Sequence, residues 1–274
     1  MNLFTGSKPS TPFDVDSHDG VVVNLENVSV LYRIRRNRPG SLKEYAVRWV
    51  KRDLEVEHLR ALEDISVEIK AGEVFAIIGR NGAGKTTTLK VIAGILKPTE
   101  GRARVYGNTI SLLGVGAGFH YELTGYENVY LYSAVLGRSK ARTDELFDTI
   151  VEFAELSDFI HAPLRTYSTG MNARLGFAVA MAEKPDILLV DEVLSVGDEQ
   201  FQDKCRNRFE EFTQSGTTVI IATHALSTVR SMCQRAVWIS NGCVAKLGEA
   251  GDVADSYHDF LSHQEYRETI RDQD

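Results

Sequence analysis

The stretch Gly79-Arg80-Asn81-Gly82-Ala83-Gly84-Lys85-Thr86 decides the fold of this chain. It matches the pattern G-x-x-x-x-G-K-[ST], which is typical of a loop that wraps around nucleotide phosphates. The apolar run 74–78 before it predicts a buried strand, and residues 87–95 after it follow a helical pattern. A Gly-rich turn that ends in Lys-Thr by chance is the alternative. Because strand, loop and helix stand in the order that phosphate binding requires, the sequence predicts a nucleoside triphosphate site.

Each part of this phosphate loop (residues 79–86) has an expected task. Its glycines permit a tight turn that points backbone N–H groups at an anion, and the following helix adds the positive end of its dipole. Lys85 is expected to reach the β- and γ-phosphates, and the Thr86 hydroxyl is expected to bind Mg²⁺. The predicted nucleotide contacts are Gly79, Asn81, Gly82, Ala83, Gly84, Lys85, Thr86 and Thr87.

Composition limits the class of protein. A chain of 274 residues with 43% hydrophobic content can bury the core of one large α/β domain or two small ones. The formal net charge of −7 argues against non-specific nucleic-acid binding, so no nucleic-acid partner is expected. Three cysteines without metal-ligand spacing fit a reducing compartment. Neither a membrane-spanning run nor a secretory or lipidation signal is expected.

The order of elements predicts an α/β fold with a parallel-sheet core and a helical insertion. Strand patterns occur at 21–32, 61–70, 73–79, 102–106, 109–113, 186–190, 217–223, 235–239 and 243–247. Helical patterns cover 124–184, 200–212 and 226–232. Residues 1–20 are predicted to be a disordered tail. The main domain is predicted to cover residues 21–250, and residues 251–274 are expected to form a helix at 253–260 and a polar tail.

Two carboxylates follow the apolar run 187–190. A buried strand normally stops at a turn residue, so paired acids at its tip point to chemistry. Asp191 is expected to hold Mg²⁺ through water, and Glu192 to orient and deprotonate the attacking water. The alternative is two solvated acids at a strand end. The phosphate loop about a hundred residues upstream favours the functional interpretation.

The segment Tyr167-Ser168-Thr169-Gly170-Met171 precedes a helical run, which makes Ser168 and Gly170 a candidate anion site. By itself this pattern is an ordinary N-cap. Its place between the phosphate loop and the acidic strand resembles the ATP-binding cassette family, over about residues 21–250. The resemblance implies a P-loop NTPase (RecA-like) core, an antiparallel β subdomain and a helical subdomain at about 115–184.

The resemblance also implies partners and site residues. In that family two cassettes close head to tail, and each signature loop, here residues 168–171, completes the ATP site of the other copy. A homodimer using ATP and Mg²⁺ is therefore expected, with Glu192 and Lys85 catalytic and residues 195–198 crossing the interface as the D-loop. His224 matches the switch histidine that contacts the γ-phosphate, although a lone histidine after a strand is more often a loop residue. Tyr32, at the end of the first strand, matches the ring stacked on adenine, although core packing is its stronger unaided interpretation.

Differences from the sequence motifs of most ATP-binding cassettes narrow the resemblance to one subgroup of the family. Most cassettes have Gln about eight residues before the motif at 123–128, whereas this chain has Gly114-Val115-Gly116-Ala117-Gly118-Phe119. We assign no residue to the magnesium contact of that Gln. Residues 116–120, 167–175 and 191–205 are similar to one subgroup, the ATPase subunits of bacterial exporters for O-antigen, capsule and teichoic acid.

The subgroup implies a function at the cytoplasmic face of the membrane. The expected partner is a separate integral-membrane permease, in two copies, that exports lipid-linked polysaccharide. A cassette ATPase for another cargo, a lipid or a drug, is the alternative. A soluble cassette protein of nucleic-acid metabolism is a third interpretation, but the paired cassettes, zinc modules and long coiled coils usual in that class are not visible in the sequence.

A basic insertion at about 33–60 interrupts the first part of the domain. Residues 33–52 contain eight basic side chains and one acid, so this piece has a charge of +7 and the remainder −14. Ser41 and Glu44 form a capping-box pattern that predicts a helix over 41–52, with Tyr45 and Trp49 on its apolar face. Packing on the domain's own core is one interpretation, and contact with the membrane surface or the permease is the other. Exporters that resemble this chain have a helix here, which favours contact with the membrane.

Overall fold

The computed structural model describes residues 20–35, 56–191 and 197–271. Its strands, in chain order, are β1 (Val21–Arg35), β2 (Val56–Lys70), β3 (Val74–Ile78), β4 (Glu100–Val105), β5 (Thr109–Ser111), β6 (Ile187–Asp191), β7 (Thr218–Thr223), β8 (Arg235–Ser240) and β9 (Cys243–Glu249). Its α-helices are α1 (Lys85–Ile92), α2 (Gly125–Val135), α3 (Lys140–Ala154), α4 (Thr169–Ala180), α5 (Glu199–Gln214), α6 (Leu226–Met232) and α7 (Ala250–Arg271). The predicted α/β fold with a helical insertion and an antiparallel β subdomain is confirmed.

The central sheet has six strands in the order β5-β6-β7-β3-β8-β9, and only the β8–β9 pair is antiparallel. Every residue of β3 and of β7 is buried, as expected for central strands of a parallel sheet covered on both faces. The register places Ile78 beside Thr223 and Asp191 beside Ala222. The carboxyl ends of β6, β7 and β3 therefore meet at one edge, which is where ligands bind in such sheets.

The antiparallel sheet has the order β2-β1-β4 and packs over α1. Its β1 and β2 stay paired from Val21 and Lys70 to Arg35 and Val56. The first strand therefore continues past Tyr32, and the second begins before the predicted residue 61. Because these extra residues pair with one another, the insertion predicted at 33–60 is shorter. Its remainder, residues 36–55, lies outside the described residues, and so do residues 1–19 of the tail predicted at 1–20.

The helical subdomain consists of α2, α3 and α4, placed between β5 and β6. Phe153, Phe177 and Phe201 pack in mutual contact, with ring centroids 5.6 to 6.1 Å apart. Two arginines bind the carboxyl end of α4: Arg138 Nη2 donates to the Ala180 carbonyl at 3.2 Å, and Arg208 Nε donates to the Met181 carbonyl at 3.1 Å. Burial lowers the pKa of Arg138, which Glu183 partly offsets. The Arg208 bond fastens the helical subdomain to α5, and the Arg138 bond fastens the connection between α2 and α3 to the end of α4.

Helix ends differ from the sequence-based bounds. Helix α1 covers 85–92 rather than 87–95, because Gly94 adopts a φ of +70° just beyond it and stops the helix. Helix α7 starts at Ala250 and continues to Arg271, well past the predicted 253–260. Tyr257 and Phe260 of α7 pack on Trp238 of β8 at 5.5 and 5.0 Å between centroids. Among the helices of the described residues, none has the length and apolar content to cross a bilayer.

Candidate nucleotide-binding site

The phosphate loop needs glycine at two positions for space as well as for conformation. Gly79 and Gly84 adopt φ values of +152° and +116°. A Cβ atom at Gly79 would lie 2.3 Å from the Ile239 carbonyl oxygen, and one at Gly84 would lie 2.7 Å from Leu62 Cδ2. The loop is therefore confined between the end of β8 and the antiparallel sheet. Its path is set by backbone packing.

Lys85 lies across this loop as a buried cation. Its ammonium donates to the carbonyls of Gly79 at 2.8 Å and Arg80 at 3.1 Å, and the residue is only 8% exposed. Gly84 stands at the N-cap of α1 and offers no side chain to the N–H groups of the first turn. A buried ammonium beside open N–H groups at a helix start is suited to a polyphosphate. The donors of this loop therefore fit a nucleotide triphosphate.

The two expected magnesium ligands are adjacent. The Thr86 hydroxyl donates to Asp191 Oδ2 at 2.8 Å, although the two residues are 105 positions apart. A hydroxyl and a carboxylate oxygen are ligands that Mg²⁺ accepts, and this ion usually keeps several waters and phosphate oxygens as well. Within residues 20–35, 56–191 and 197–271, no cluster of three or more His, Cys, Asp or Glu side chains could hold a metal. The oxygen pair therefore fits Mg²⁺ that is shared with a phosphate.

His224 lies at the same carboxyl edge of the central sheet. This residue follows β7 directly, and the last residue of β7, Thr223, lies beside Ile78, after which the phosphate loop begins. The Thr223 hydroxyl accepts from Ala225 N at 3.0 Å and shapes the turn around His224. The backbone of His224 is thus next to the start of the loop, and the residue is exposed. Glu192, together with Ser195 and Val196 of the D-loop, lies outside the described residues.

Tyr32 lies within the β1–β2 pairing, three residues before the last residue of β1, rather than at the strand end. It pairs with Leu59 and is half-buried against the core beneath the antiparallel sheet. Leu62, further along β2, is the residue that approaches Gly84. This sheet therefore borders the phosphate loop. The packing contact of Tyr32 is observed, and its stacking on adenine stays a prediction.

Ser168 and Gly170 lie on a surface that is separate from the phosphate loop. Ser168 is the N-cap of α4, and its hydroxyl accepts from Met171 N at 3.1 Å. A groove of about 490 Å³ opens here, which we call the signature groove. Its lining residues are Glu155, Leu156, Phe159, Ser168, Gly170, Met171, Arg174, Gly197 and Asp198. The phosphate loop, which is described in full, contributes none of them. Within one chain the two predicted halves of the nucleotide site are separate surfaces.

Positive backbone φ angles shape the loop at 114–119, and a buried amide that sequence reasoning missed shapes the turn at 120–124. Gly114, Gly116 and Gly118 all have positive φ. Asn128 is fully buried, its Nδ2 donates to the carbonyls of His120, Leu123 and Thr124 at 2.9 to 3.2 Å, and its Oδ1 accepts from His120 N at 2.8 Å. The E-N dipeptide of the motif at 123–128 was the available signal.

Val115 occupies about the position where most cassettes carry Gln. It packs on α4, since a Cβ at Gly176 would lie 2.7 Å from Val115 Cγ1. Residues 114–119 include only Gly, Val, Ala and Phe, so this loop supplies no polar side chain to a metal or a phosphate. Its tight fit on Gly176 instead links the core to the helix that begins at the signature loop.

Comparisons with known proteins agree with this geometry. The family described as ABC transporter matches residues 62–195. An O-antigen export system ATP-binding protein, RfbB of Klebsiella pneumoniae, is 41% identical over 244 residues, which are 88% of this chain and 99% of that protein. A teichoic acids export ATP-binding protein, TagH of Listeria innocua serovar 6a, is 36% identical over 88% of this chain and 71% of its own length.

A solved structure has the same fold. The dimeric post-hydrolysis state of the ATP-binding cassette MJ0796, bound to ADP and Pi, aligns with a TM-score of 0.63 at 23% identity. The alignment covers 83% of this chain and 98% of that one. At this level of identity the likeness establishes the fold alone.

Proposed function

We propose that this chain, which belongs to the ABC transporter family, hydrolyses ATP to power a separate membrane permease. Its relatives in that family are ATP-binding proteins of export systems. We further propose that the permease exports a lipid-linked polysaccharide and that this subunit works at the cytoplasmic face of the membrane. The observation that carries the proposal is the 41% identity that extends over 99% of an O-antigen export relative. The nucleotide-binding geometry described above supports the ATPase part independently.

Each residue of the proposed site has its own role in binding or hydrolysing ATP. The Lys85 ammonium and the N–H groups at the start of α1 would bind the phosphates of ATP. Thr86 and Asp191 would hold Mg²⁺, which when bound neutralises charge that develops on the phosphate oxygens. Glu192 is the proposed base that takes a proton from the attacking water, and His224 is the proposed γ-phosphate contact. Tyr32 is the proposed adenine contact.

The proposed active form is a head-to-tail homodimer. The signature groove lies apart from the phosphate loop of the same chain, so a second copy would be needed to bring Ser168 and Gly170 to a bound nucleotide. Each surface contains a helix N-terminus, which suits an anion: that of α1 has no side-chain cap, and that of α4 is capped by Ser168. Two ATP molecules would then lie between two subunits, and a permease in two copies would match this symmetry.

Deletion of the gene tests the proposed function. Surface polymer should disappear, and lipid-linked polymer should accumulate inside the cell, because synthesis continues without export. Wild-type protein should restore surface polymer and Lys85→Ala should not, whereas Lys97→Ala, which changes an exposed lysine outside the loop, should restore it. Immunoblotting of surface and intracellular polymer measures the outcome. Normal surface polymer in the deletion strain would contradict the proposed cargo.

The basic insertion is the proposed contact with the membrane or the permease. Residues 36–55 leave the antiparallel sheet at Arg35 and return at Val56, and these two residues are paired. The insertion therefore starts at the end of a long two-stranded ribbon, and its departure and return positions are adjacent. Its cations favour anionic lipid headgroups or acidic groups of a partner.

A double substitution, Tyr45→Ser with Trp49→Ser, separates a membrane role from a core role. We expect the isolated subunit to keep its melting temperature and its ATP binding, and export in cells to fall strongly. If the aromatic face belongs to the core, the melting temperature should fall by several °C for each kcal/mol of lost packing. Ile95→Ser, at a residue 64% exposed on the nucleotide-binding domain, is the matched control and should leave export intact.

A further inference from the structure

Arg174 connects three helices around the signature groove. It lies on α4, six residues after the cap Ser168, and its Nη1 donates to Glu155 Oε2 at 3.0 Å. Its Nη2 donates to Asp198 Oδ2. Glu155 is the C-cap residue of α3 in a left-handed conformation, and Asp198 is the N-cap residue of α5. One side chain therefore ties the end of α3 and the start of α5 to the signature helix.

Both acidic partners are held in place by further bonds. Asp198 Oδ1 accepts from Phe201 N at 3.0 Å, and Glu155 Oε1 pairs with Lys204. The guanidinium also lies over the Phe201 ring, 5.2 Å from its centroid. Because a guanidinium presents its donors in a rigid planar fork, these contacts define the position of Arg174 relative to both acids.

The same contacts add little stability. Arg174 is 19% exposed, but Glu155 and Asp198 are 41% and 60% exposed, and ion pairs with such partners are strongly screened by water. Their main consequence is therefore geometric. Glu155, Arg174 and Asp198 line the signature groove together with Ser168 and Gly170.

We propose that Arg174 is a positioning residue for ATP hydrolysis. It holds the signature loop and the Gly197-Asp198 end of the D-loop at a fixed separation, so that both meet the second cassette in a single arrangement. This inference rests on the proposed function, since it requires the head-to-tail dimer. Arg174 itself contacts the two acids and Phe201, and it acts on the nucleotide through Ser168.

Three substitutions test this inference in the full-length protein. Arg174→Gln should lower ATP turnover by at least about tenfold while the affinity of the subunit for a fluorescent ATP analogue stays unchanged. Asp198→Asn keeps the helix cap, because Asn caps as well as Asp, but it removes the charge and should cause a similar loss. Arg174→Lys should give intermediate turnover, because a compact ammonium cannot reproduce the planar fork.

Arg142 provides a matched control. It also joins two acids, Glu145 and Glu183, but it does so away from the signature groove. Arg142→Gln should therefore leave turnover and nucleotide affinity at wild-type values. The melting temperature of every variant should be measured alongside turnover. A merely structural role of Arg174 would lower stability and nucleotide binding together with turnover.

The possible results separate this inference from the proposed function. Turnover of Arg174→Gln within twofold of wild type would overturn the positioning role, and so would a loss matched by equal losses of nucleotide binding and thermal stability. The double variant Arg174→Gln with Asp198→Asn provides a further test. If its loss of turnover equalled the sum of the two single losses on a free-energy scale, the positioning role would also be overturned, because residues that act as a unit are non-additive. A wild-type protein without any ATPase activity would instead refute the proposed function, and the inference would fall with it.

Discussion

Replacing Glu192 by Gln should slow ATP hydrolysis by roughly 10²-fold or more while ATP binding persists. Glu192 follows Asp191 directly, and the Asp191 carboxylate already contacts the Thr86 hydroxyl at the edge of the sheet. An amide at position 192 has nearly the same shape as the carboxylate but cannot accept a proton from water. Steady-state phosphate release by the purified subunit measures the effect.

The same variant should accumulate as an ATP-bound dimer. If hydrolysis opens the dimer, a subunit that binds ATP without cleaving it stays closed, and size-exclusion chromatography with Mg²⁺ and ATP detects the larger species. Glu210→Gln, at an exposed glutamate of α5, should behave like wild type in both assays. Near-normal turnover by Glu192→Gln protein would remove Glu192 from the role of base.

Mixing two inactive variants should restore part of the ATP binding and hydrolysis. Lys85→Ala removes the buried cation of the phosphate loop, and Ser168→Arg places a large side chain in the signature groove. In a mixed dimer, one composite site has the intact Lys85 of one copy and the intact Ser168 of the other, and the second site is damaged twice. Turnover of the mixture should therefore exceed that of either variant alone.

Ser168→Arg also removes a helix cap, so a cap variant of another helix is needed as a control. Ser139 caps α3, where its hydroxyl accepts from Arg142 N at 3.2 Å. Ser139→Arg should cost only about 1 kcal/mol of stability and should remain active, because it lies outside the signature groove. Full activity of Ser168→Arg protein alone, or a mixture no more active than its components, would contradict a site shared between two copies.

Local patterns in the sequence predicted much of the fold. The apolar run of β3, the glycines after it and the helix start at Lys85 are contiguous, so nearest-neighbour rules are sufficient to predict a strand, a phosphate loop and a helix. The capping box of α2 is equally local. Glu127 accepts one hydrogen bond from Thr124 N at 2.8 Å and another from the Thr124 hydroxyl, and these two bonds lower the pKa of Glu127. The resemblance to the ATP-binding cassette family is confirmed by relatives that extend over most of the chain.

Element boundaries followed less well from the sequence. Residues 33–35 and 56–60 are short segments rich in charged side chains, and they are strands because each segment pairs with the other. Helix α7 continues through polar residues that form helices readily, once its first turns are packed on β8.

The sequence by itself determined the chemistry available to this protein, because a phosphate loop, paired acids after a strand and a capped signature helix are each written in a few adjacent residues. Only the tertiary structure decided how these pieces meet. The strand order β6-β7-β3 joins Thr86 to Asp191 and sets His224 beside the loop, and the same folding keeps Ser168 on a separate surface. The contacts of Asn128 and Arg174 likewise depend on segments that approach only in the folded chain. Such contacts leave no periodicity in the sequence, since their geometry is set by sheet register and helix packing.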